Sequence, residues 1–395
     1  MANDKIVLAY SGGLDTSVAV PWLQEQYGAD VITLTIDLGM VDLESIRQRA
    51  IQVGAAKALT VDGKETLVNE FLFPALKAGA IYEEQYPLAT ALGRPLIARY
   101  LVEAARAEGA YAVAHGCTGK GNDQVRIDVG VAALAPELKV IAPIRDWGMS
   151  REDEIEYGQA RNLPINASRS RFSVDENLWG RSAEAGELED PWLEPPEDAY
   201  DWTEPVASAP DEPTYVEIHF VEGVPTALDG ETMNGVDLIR HLNTVAGRHG
   251  VGRVDHVENR LVGIKSREVY ETPAAVTLHA AHKALETLTL SKDQVRLKVQ
   301  IAQQYADMVY NGLWFTHHRL DMDAYIGSTQ RYVTGDVRVR LHKGTCTVVG
   351  RTAPNALYNY SLATYDRDDQ FDHSAAAGFI DIFGLPVRTQ NQAQG

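Results

Sequence analysis

An alternation constrains the fold more than any other feature of the sequence. Apolar runs of strand length occur at Ile6–Tyr10, Val31–Asp37, Lys57–Val61, Tyr111–His115 and Lys139–Ile144, with segments of helical periodicity between them. From Asp42 to Val53, residues Leu43, Ile46, Ala50 and Val53 share one helix face. From Arg94 to Ala107, residues Leu96, Ile97, Leu101, Ala104 and Ala105 do the same. This pattern predicts an α/β domain whose parallel sheet is covered on both faces. Ligands of such sheets bind beyond the carboxyl ends of the strands. Pro21 falls inside the helix expected after the first strand and would cost it a backbone hydrogen bond. Pro74 and Pro95 raise the same question at helix boundaries.

The first loop at that carboxyl edge is Ala9-Tyr10-Ser11-Gly12-Gly13-Leu14-Asp15-Thr16-Ser17. Gly12 and Gly13 permit backbone angles that turn successive N–H groups into one concavity, a nest for an anion. The following helix N-terminus adds partial positive charge, and Ser11, Thr16 and Ser17 add hydroxyl donors. The Gly-Lys-Ser/Thr of a Walker A loop is missing. A plain turn capped by Asp15 is the bland alternative, and it leaves the hydroxyl-rich helix start unexplained.

The second loop follows the fourth strand: His115-Gly116-Cys117-Thr118-Gly119-Lys120-Gly121-Asn122-Asp123-Gln124-Val125-Arg126. Its three glycines let backbone approach a ligand closely. Thr118, Lys120, Asn122, Asp123 and Arg126 supply donors, one carboxylate and a bidentate fork for a substrate carboxylate. A solvated loop capping its helix with Asn122 or Asp123 would account for the caps alone.

Charge is unevenly placed. Of 55 acidic residues, 16 lie between Ser182 and Ile239, where no Lys or Arg occurs; elsewhere 39 acids face 36 bases. That segment would repel a nucleic-acid backbone. Within it, Pro191–Pro213 holds six of the 17 prolines and reads as an extended, solvated connection between domains. Beyond it come a strand at Tyr215–Val221 and helical patterns at Gly235–Gly247, Ala274–Leu288 and Lys292–Asn311. A hairpin is expected at Arg338–Arg351 around His342-Lys343-Gly344-Thr345. This reads as an α+β domain. The exposed apolar stretch Phe379–Leu385 is expected to pack on another subunit.

No apolar run reaches the ~20 residues that cross a bilayer, and the polar N-terminus lacks a signal-like h-region, so a cytoplasmic location is expected. The two cysteines, Cys117 and Cys346, are too few for a disulfide framework or a structural zinc site. Cys117 reads as a small residue near a ligand. His279 and His282 read as helix-surface or packing residues, since no Glu stands at metalloprotease spacing. Adjacent His317 and His318 would point in different directions. Asn166-Ala167-Ser168 fits the glycosylation pattern without being expected to carry sugar.

The string Ser11–Ser17 resembles the pyrophosphate-binding loop of the ATP pyrophosphatase (PP-loop) group, which cleaves ATP between its α- and β-phosphates. That likeness implies ATP and adenylylation but no particular substrate. The stretch His115–Arg126 resembles the argininosuccinate synthase family specifically. Other pieces agree: Glu83-Glu84-Gln85-Tyr86, Thr90-Ala91-Leu92-Gly93-Arg94-Pro95, Ser173-Val174-Asp175-Glu176-Asn177-Leu178 with Ser182, Val257-Glu258-Asn259-Arg260, Lys265-Ser266-Arg267 and Tyr270-Glu271-Thr272-Pro273. The resemblance runs from the first strand to about Pro354.

The resemblance implies a Rossmann-like, adenine nucleotide alpha hydrolase-like domain (1–167), a synthetase and multimerisation domain (168–365) with the acidic connection at 183–214, and a C-terminal arm (366–395). It implies that Ala9, Tyr10, Ser11, Gly12, Gly13, Leu14, Asp15, Thr16, Ser17 and Gly116 contact ATP. Thr118, Asn122 and Asp123 would hold aspartate. Tyr86, Thr90, Ala91, Asn122, Arg126, Ser173, Ser182, Glu258 and Tyr270 would surround citrulline. Many family members carry Ser where this chain has Ala91, so that hydroxyl contact is absent and Thr90 with backbone would replace it. Asp123, Asn122, Arg126, Ser11 and Asp15 would carry the catalytic roles. Mg2+ would arrive with ATP, the protein itself holding no metal, and the assembly would be a homotetramer. The alternatives are another PP-loop adenylylating synthetase, such as a tRNA-modifying or amidotransferase-linked one, or a nucleotide-binding protein without turnover. The first would want a basic RNA-binding surface, reactive cysteines or a glutaminase domain, and the sequence displays none of these.

Overall fold

A computed structural model describes residues 4–39, 42–165 and 171–395; the Asn166-Ala167-Ser168 pattern lies outside them. Five parallel strands form the first sheet: β1 (Lys5–Ala9), β2 (Asp30–Asp37), β3 (Lys57–Asp62), β4 (Ala112–Ala114) and β5 (Lys139–Ile141). Their order is β3-β2-β1-β4-β5, with Val7 paired to Ile32 on one side and Val113 on the other. The order in which the chain adds strands reverses beside β1, so a crevice opens at the carboxyl ends of β1 and β4. Both loops singled out in the sequence open into it. Apolar side chains cover both faces, Ile6, Leu8 and Val20 on one and Val7, Leu101 and Val131 on the other. The last strand is shorter than its apolar run because Pro143 starts a helical turn.

Pro21 lies inside helix Leu14–Tyr27 and Pro95 inside helix Ala89–Glu108, while Pro74 occupies the first turn of helix Phe73–Ala78, where no donor is needed.

The second region holds two antiparallel sheets. One comprises β6 (Ser173–Asn177), β7 (Gly180–Glu184), β11 (Arg253–Asn259) and β12 (Lys265–Glu271), in the order β11-β12-β7-β6. The other comprises β8 (Thr214–Val221), β9 (Val224–Leu228), β10 (Glu231–Thr232), β13 (Gly335–His342) and β14 (Thr345–Thr352). The expected hairpin is present, with Lys343 and Gly344 both at positive φ in its turn. Helices Gly235–Arg248, Pro273–Thr289 and Lys292–Tyr310 match the periodicity within a residue or two. His279 and His282 are buried in the second of these, burial pushing His279 down to about 3. The His282 ring bonds Gln330 Oε1 at 2.8 Å, a packing role.

The acidic connection departs from its reading as a solvated linker. The Glu271 carboxylate accepts from the backbone N–H groups of Asp201, Trp202 and Thr203 at 2.8–3.1 Å, and from the Thr203 hydroxyl and Arg181 Nη1. Arg253 pairs with Glu197, Lys343 with Asp211, and Arg171 with Glu187 and Asp198. Leu188 and Ala199 of the segment itself are buried. Four of the segment's carboxylates are thus met by cations from elsewhere in the chain, and three of its backbone amides by the Glu271 carboxylate.

No residue from Arg351 to Gly395 is buried. Helices His373–Phe383 and Leu385–Gln394 leave Phe379, Ile380, Ile382 and Phe383 more than 60% exposed.

Candidate active site

Two chemically different walls meet in the crevice. On the first, Gly12 takes φ +78°, and a Cβ there would stand 3.3 Å from Ile46. The Gly12 carbonyl accepts from Arg49 Nη1 at 2.6 Å, which fixes the turn. Ser11 Oγ and Thr16 Oγ1 lie 3.2 Å apart, and the Tyr10 hydroxyl lies 3.0 Å from Ser17 Oγ. Helix Leu14–Tyr27 has no side-chain cap, so Asp15 does not close the amide nest. Gly116 approaches closely from the second loop: a Cβ there would come within 2.9 Å of Thr16 Cγ2. Of these residues, Tyr10, Ser11, Thr16, Ile46 and Gly116 line a cavity of about 320 Å³ with His115, Cys117, Arg94, Asp123 and Asp175. Leu14 and Asp15 stand behind the loop, and Asp15 faces the buried Glu154, whose carboxyl is pushed up to about 8 by burial and by the Asp15 charge. Burial also pushes the Cys117 thiol up, so it is no thiolate nucleophile.

The second wall is a buried lattice of charge and phenol. The Glu258 carboxylate accepts from Tyr270 and Tyr310 hydroxyls, each at 2.6 Å. Asn122 Nδ2 donates to the Tyr310 hydroxyl at 2.8 Å, and Asn122 Oδ1 accepts from the Leu261 amide. Gly121 holds the N-cap position of helix Asn122–Leu134, so the helix starts without a side-chain cap, and Asn122, its first residue, is spent on the pocket. Arg126 Nε donates to the Tyr310 carbonyl at 2.8 Å and Nη1 to Asp123 at 2.9 Å. Its Nη2 is buried and has no partner among the described residues, a donor poised for an anion. Tyr86 stacks on Tyr270 with ring centroids 4.1 Å apart and bonds the Thr90 hydroxyl at 2.8 Å. Ala91 is wholly buried beside them, with only its amide near the Tyr86 hydroxyl. Glu268, close to Glu258, is pushed up to about 8 by burial and by that neighbouring charge.

Register brings the remaining residues in. Asp175 on β6 pairs with Ser182 on β7, and Ser182 pairs with Tyr270 on β12. Ser173, two residues before Asp175, shares its face of the strand and is exposed. Thr118 is exposed on the second loop, its carbonyl accepting from the Gly121 amide. Register thus sets Ser182 between Asp175 of the first wall and Tyr270 of the second, while Ser173 and Thr118 are exposed on their strand and loop.

Three participants escaped the sequence reading. Tyr310, the last residue of its helix, had no local signal at all. Arg94 and Asp175 sat inside the family-like stretches without a role. Arg94 Nη2 donates both to Asp123 Oδ2, at 2.7 Å, and to Asp175 Oδ2. Burial pushes Asp123 up, but Arg94 and Arg126 outweigh it and hold the carboxyl at about 2.

Comparison with known proteins agrees with this geometry. Residues 5–164 match the family described as arginosuccinate synthase N-terminal HUP domain, and residues 172–390 match its C-terminal domain. The chain is 57% identical to argininosuccinate synthase of Symbiobacterium thermophilum, over 100% of this chain and 99% of the relative. It is 56% identical to that of Dehalococcoides mccartyi (99% and 97% covered) and 55% to that of Gloeobacter violaceus (100% of each). With both halves matched and relatives aligned end to end, the chain belongs to the argininosuccinate synthase family.

Proposed function

We propose that the chain condenses citrulline with aspartate at the expense of ATP, through a citrullyl-AMP intermediate, giving argininosuccinate, AMP and pyrophosphate. The observation that carries the reading is the first turn of helix Asn122–Leu134. Its Asp123 lines the nucleotide cavity, while Asn122 and Arg126 belong to the Glu258 pocket. One helical turn therefore serves both a nucleotide and an amino acid.

In this reading the loop Ala9–Ser17 and Gly116 hold the ATP phosphates. Arg126 Nη2 receives the citrulline carboxylate, Glu258 its ammonium, and Tyr86, Ser173, Ser182 and Tyr270 frame its length. The ureido oxygen attacks the α-phosphorus and pyrophosphate leaves; aspartate, held by Thr118, Asn122 and Asp123, then displaces AMP. Catalysis rests on positioning and charge rather than on a covalent enzyme intermediate. Asp123, held ionised by two guanidiniums, orients the aspartate ammonium. Magnesium comes with ATP, and the hydroxyls of Ser11, Thr16 and Ser17 suit a hard cation already bound to phosphate.

The test is pyrophosphate release from MgATP with citrulline and aspartate supplied together and each omitted in turn. Release that needs citrulline, and AMP plus argininosuccinate once aspartate is added, is the expected result; ATP binding without release sinks it. Asp123→Asn should slow the second step more than pyrophosphate release, and equal loss in both would count against its orienting role. The exposed apolar arm packs on other copies in a homotetramer. Light scattering should give four times the 43.4 kDa chain mass, and a smaller species once residues 366–395 are removed.

A further inference from the structure

The second step must take a proton from the aspartate ammonium, and Asp123 is badly suited to accept it. Both its oxygens are engaged by guanidiniums, Oδ2 by Arg94 and Oδ1 by Arg126. A second carboxylate lies on the other side of the same Arg94 nitrogen. Among the described residues, Arg94 is the one side chain that donates to the Asp175 carboxylate, and Oδ2 accepts that bond, while the Ser182 hydroxyl donates to the Asp175 carbonyl at 3.4 Å. Asp175 lines the nucleotide cavity together with Asp123, and its own side chain is about 41% exposed. Its ladder partner Ser182, itself paired with Tyr270, ties its strand to the amino-acid wall.

We propose that Asp175 is the base that takes the proton from the aspartate ammonium, with Arg94 setting the distance between it and Asp123. This rests on the reaction proposed above. The ammonium loses one proton to the Asp175 carboxylate, and the freed lone pair forms the new N–C bond to the activated ureido carbon. The C–O bond to AMP breaks, its electron pair leaving on the phosphate oxygen. A second proton leaves the same nitrogen for solvent, so the guanidinium product carries one positive charge.

The electrostatics agree. Burial raises Asp175 from the ordinary aspartate range, Arg94 offsets part of this, and the Asp123 charge raises it further. The charged and titratable groups around it are Arg94 from helix Ala89–Glu108, Asp123 from helix Asn122–Leu134, Cys117 from the second loop and Glu176 from its own strand. Two carboxylates whose environments push them apart divide the work between orienting and accepting.

The test separates the half-reactions. In the full-length chain, citrulline-dependent exchange of pyrophosphate into ATP reads the first step, and a rapid-quench chase with aspartate reads the second. Asp175→Asn should slow argininosuccinate formation by about 100-fold or more, the range general-base removal costs, and by at least about tenfold more than it slows exchange. Its residual rate should keep rising with pH where the wild type has levelled, because free amine must now come from bulk solvent. Asp175→Glu should recover part of the second step. Equal slowing of both steps by Asp175→Asn, or an unchanged pH profile, would mean that Asp175 only holds Arg94, and would overturn the proposal. A wild-type chain that shows no citrulline-dependent exchange would sink the underlying reaction first, and this assignment with it.

Discussion

The loop Ala9–Ser17 presents backbone amides and hydroxyls from nine consecutive residues, whereas the pocket around Glu258 is assembled from segments as distant as Tyr86 and Tyr310. In the proposed reading the first wall meets phosphate with partial charges that require no partner to stabilise them. The second keeps a full carboxylate and a full guanidinium out of water and holds them with phenols, amides and one another. A nest made of backbone tolerates changes of side chain but not of backbone angle. A lattice of buried charge tolerates neither loss of charge nor loss of geometry, because each removal strands a desolvated partner.

The contrast is sharpest at Arg126. Its guanidinium serves Tyr310, Asp123 and the open face of the pocket at once, and lies 4.7 Å from the Tyr310 ring. Arg126→Lys keeps the charge and loses the fork. A fall of about 100- to 1000-fold in kcat/KM for citrulline is expected, roughly 3–4 kcal/mol. A loss under tenfold in steady-state kinetics would show that charge alone suffices there and would break the comparison.

On the other wall, Gly12→Ala forces a Cβ into a φ of +78° against Ile46. The KM for ATP should rise by about tenfold, the strain being on the order of 1 kcal/mol, while the KM for citrulline stays put. Parallel rises in both would mean that the walls do not act separately.

The smallest effect concerns the carboxyl pair behind the loop. Glu154 lies near 8 when folded and in the ordinary glutamate range when unfolded. Between those values the folded chain keeps a proton that the unfolded chain has released, so stability falls as pH climbs through that window. Glu154→Gln removes the dependence. Its melting temperature should exceed that of the wild type by about 1–3 °C at pH 8.5 and match it near pH 4 in calorimetry. An equal difference at both pH values would count against the shared proton.

Much of this was legible in advance where the determinants are local. The five strands, the glycine-rich turns and three long helices of the second region follow from periodicity and turn chemistry, because each is decided within a few residues. The crevice could be placed at the carboxyl edge without knowing the strand order. The acidic connection could not be read, since what folds it down is Glu271, some 70 residues beyond the amides it receives. The same reason hid Tyr310: a tyrosine ending a helix looks like any other until Glu258 is found at its hydroxyl.

By itself, then, the sequence determined the parallel α/β domain, the two glycine-rich loops at its carboxyl edge and the family to which the chain belongs. Tertiary structure alone decided that Arg94 stands between two carboxylates and that Asp123 spends both its oxygens on guanidiniums. It also decided that, among the described residues, Arg94 alone of the side chains donates to the Asp175 carboxylate. Backbone conformation answers to neighbours in the chain, but a carboxylate's charge and proton affinity answer to whichever groups the fold carries within a few ångströms of it.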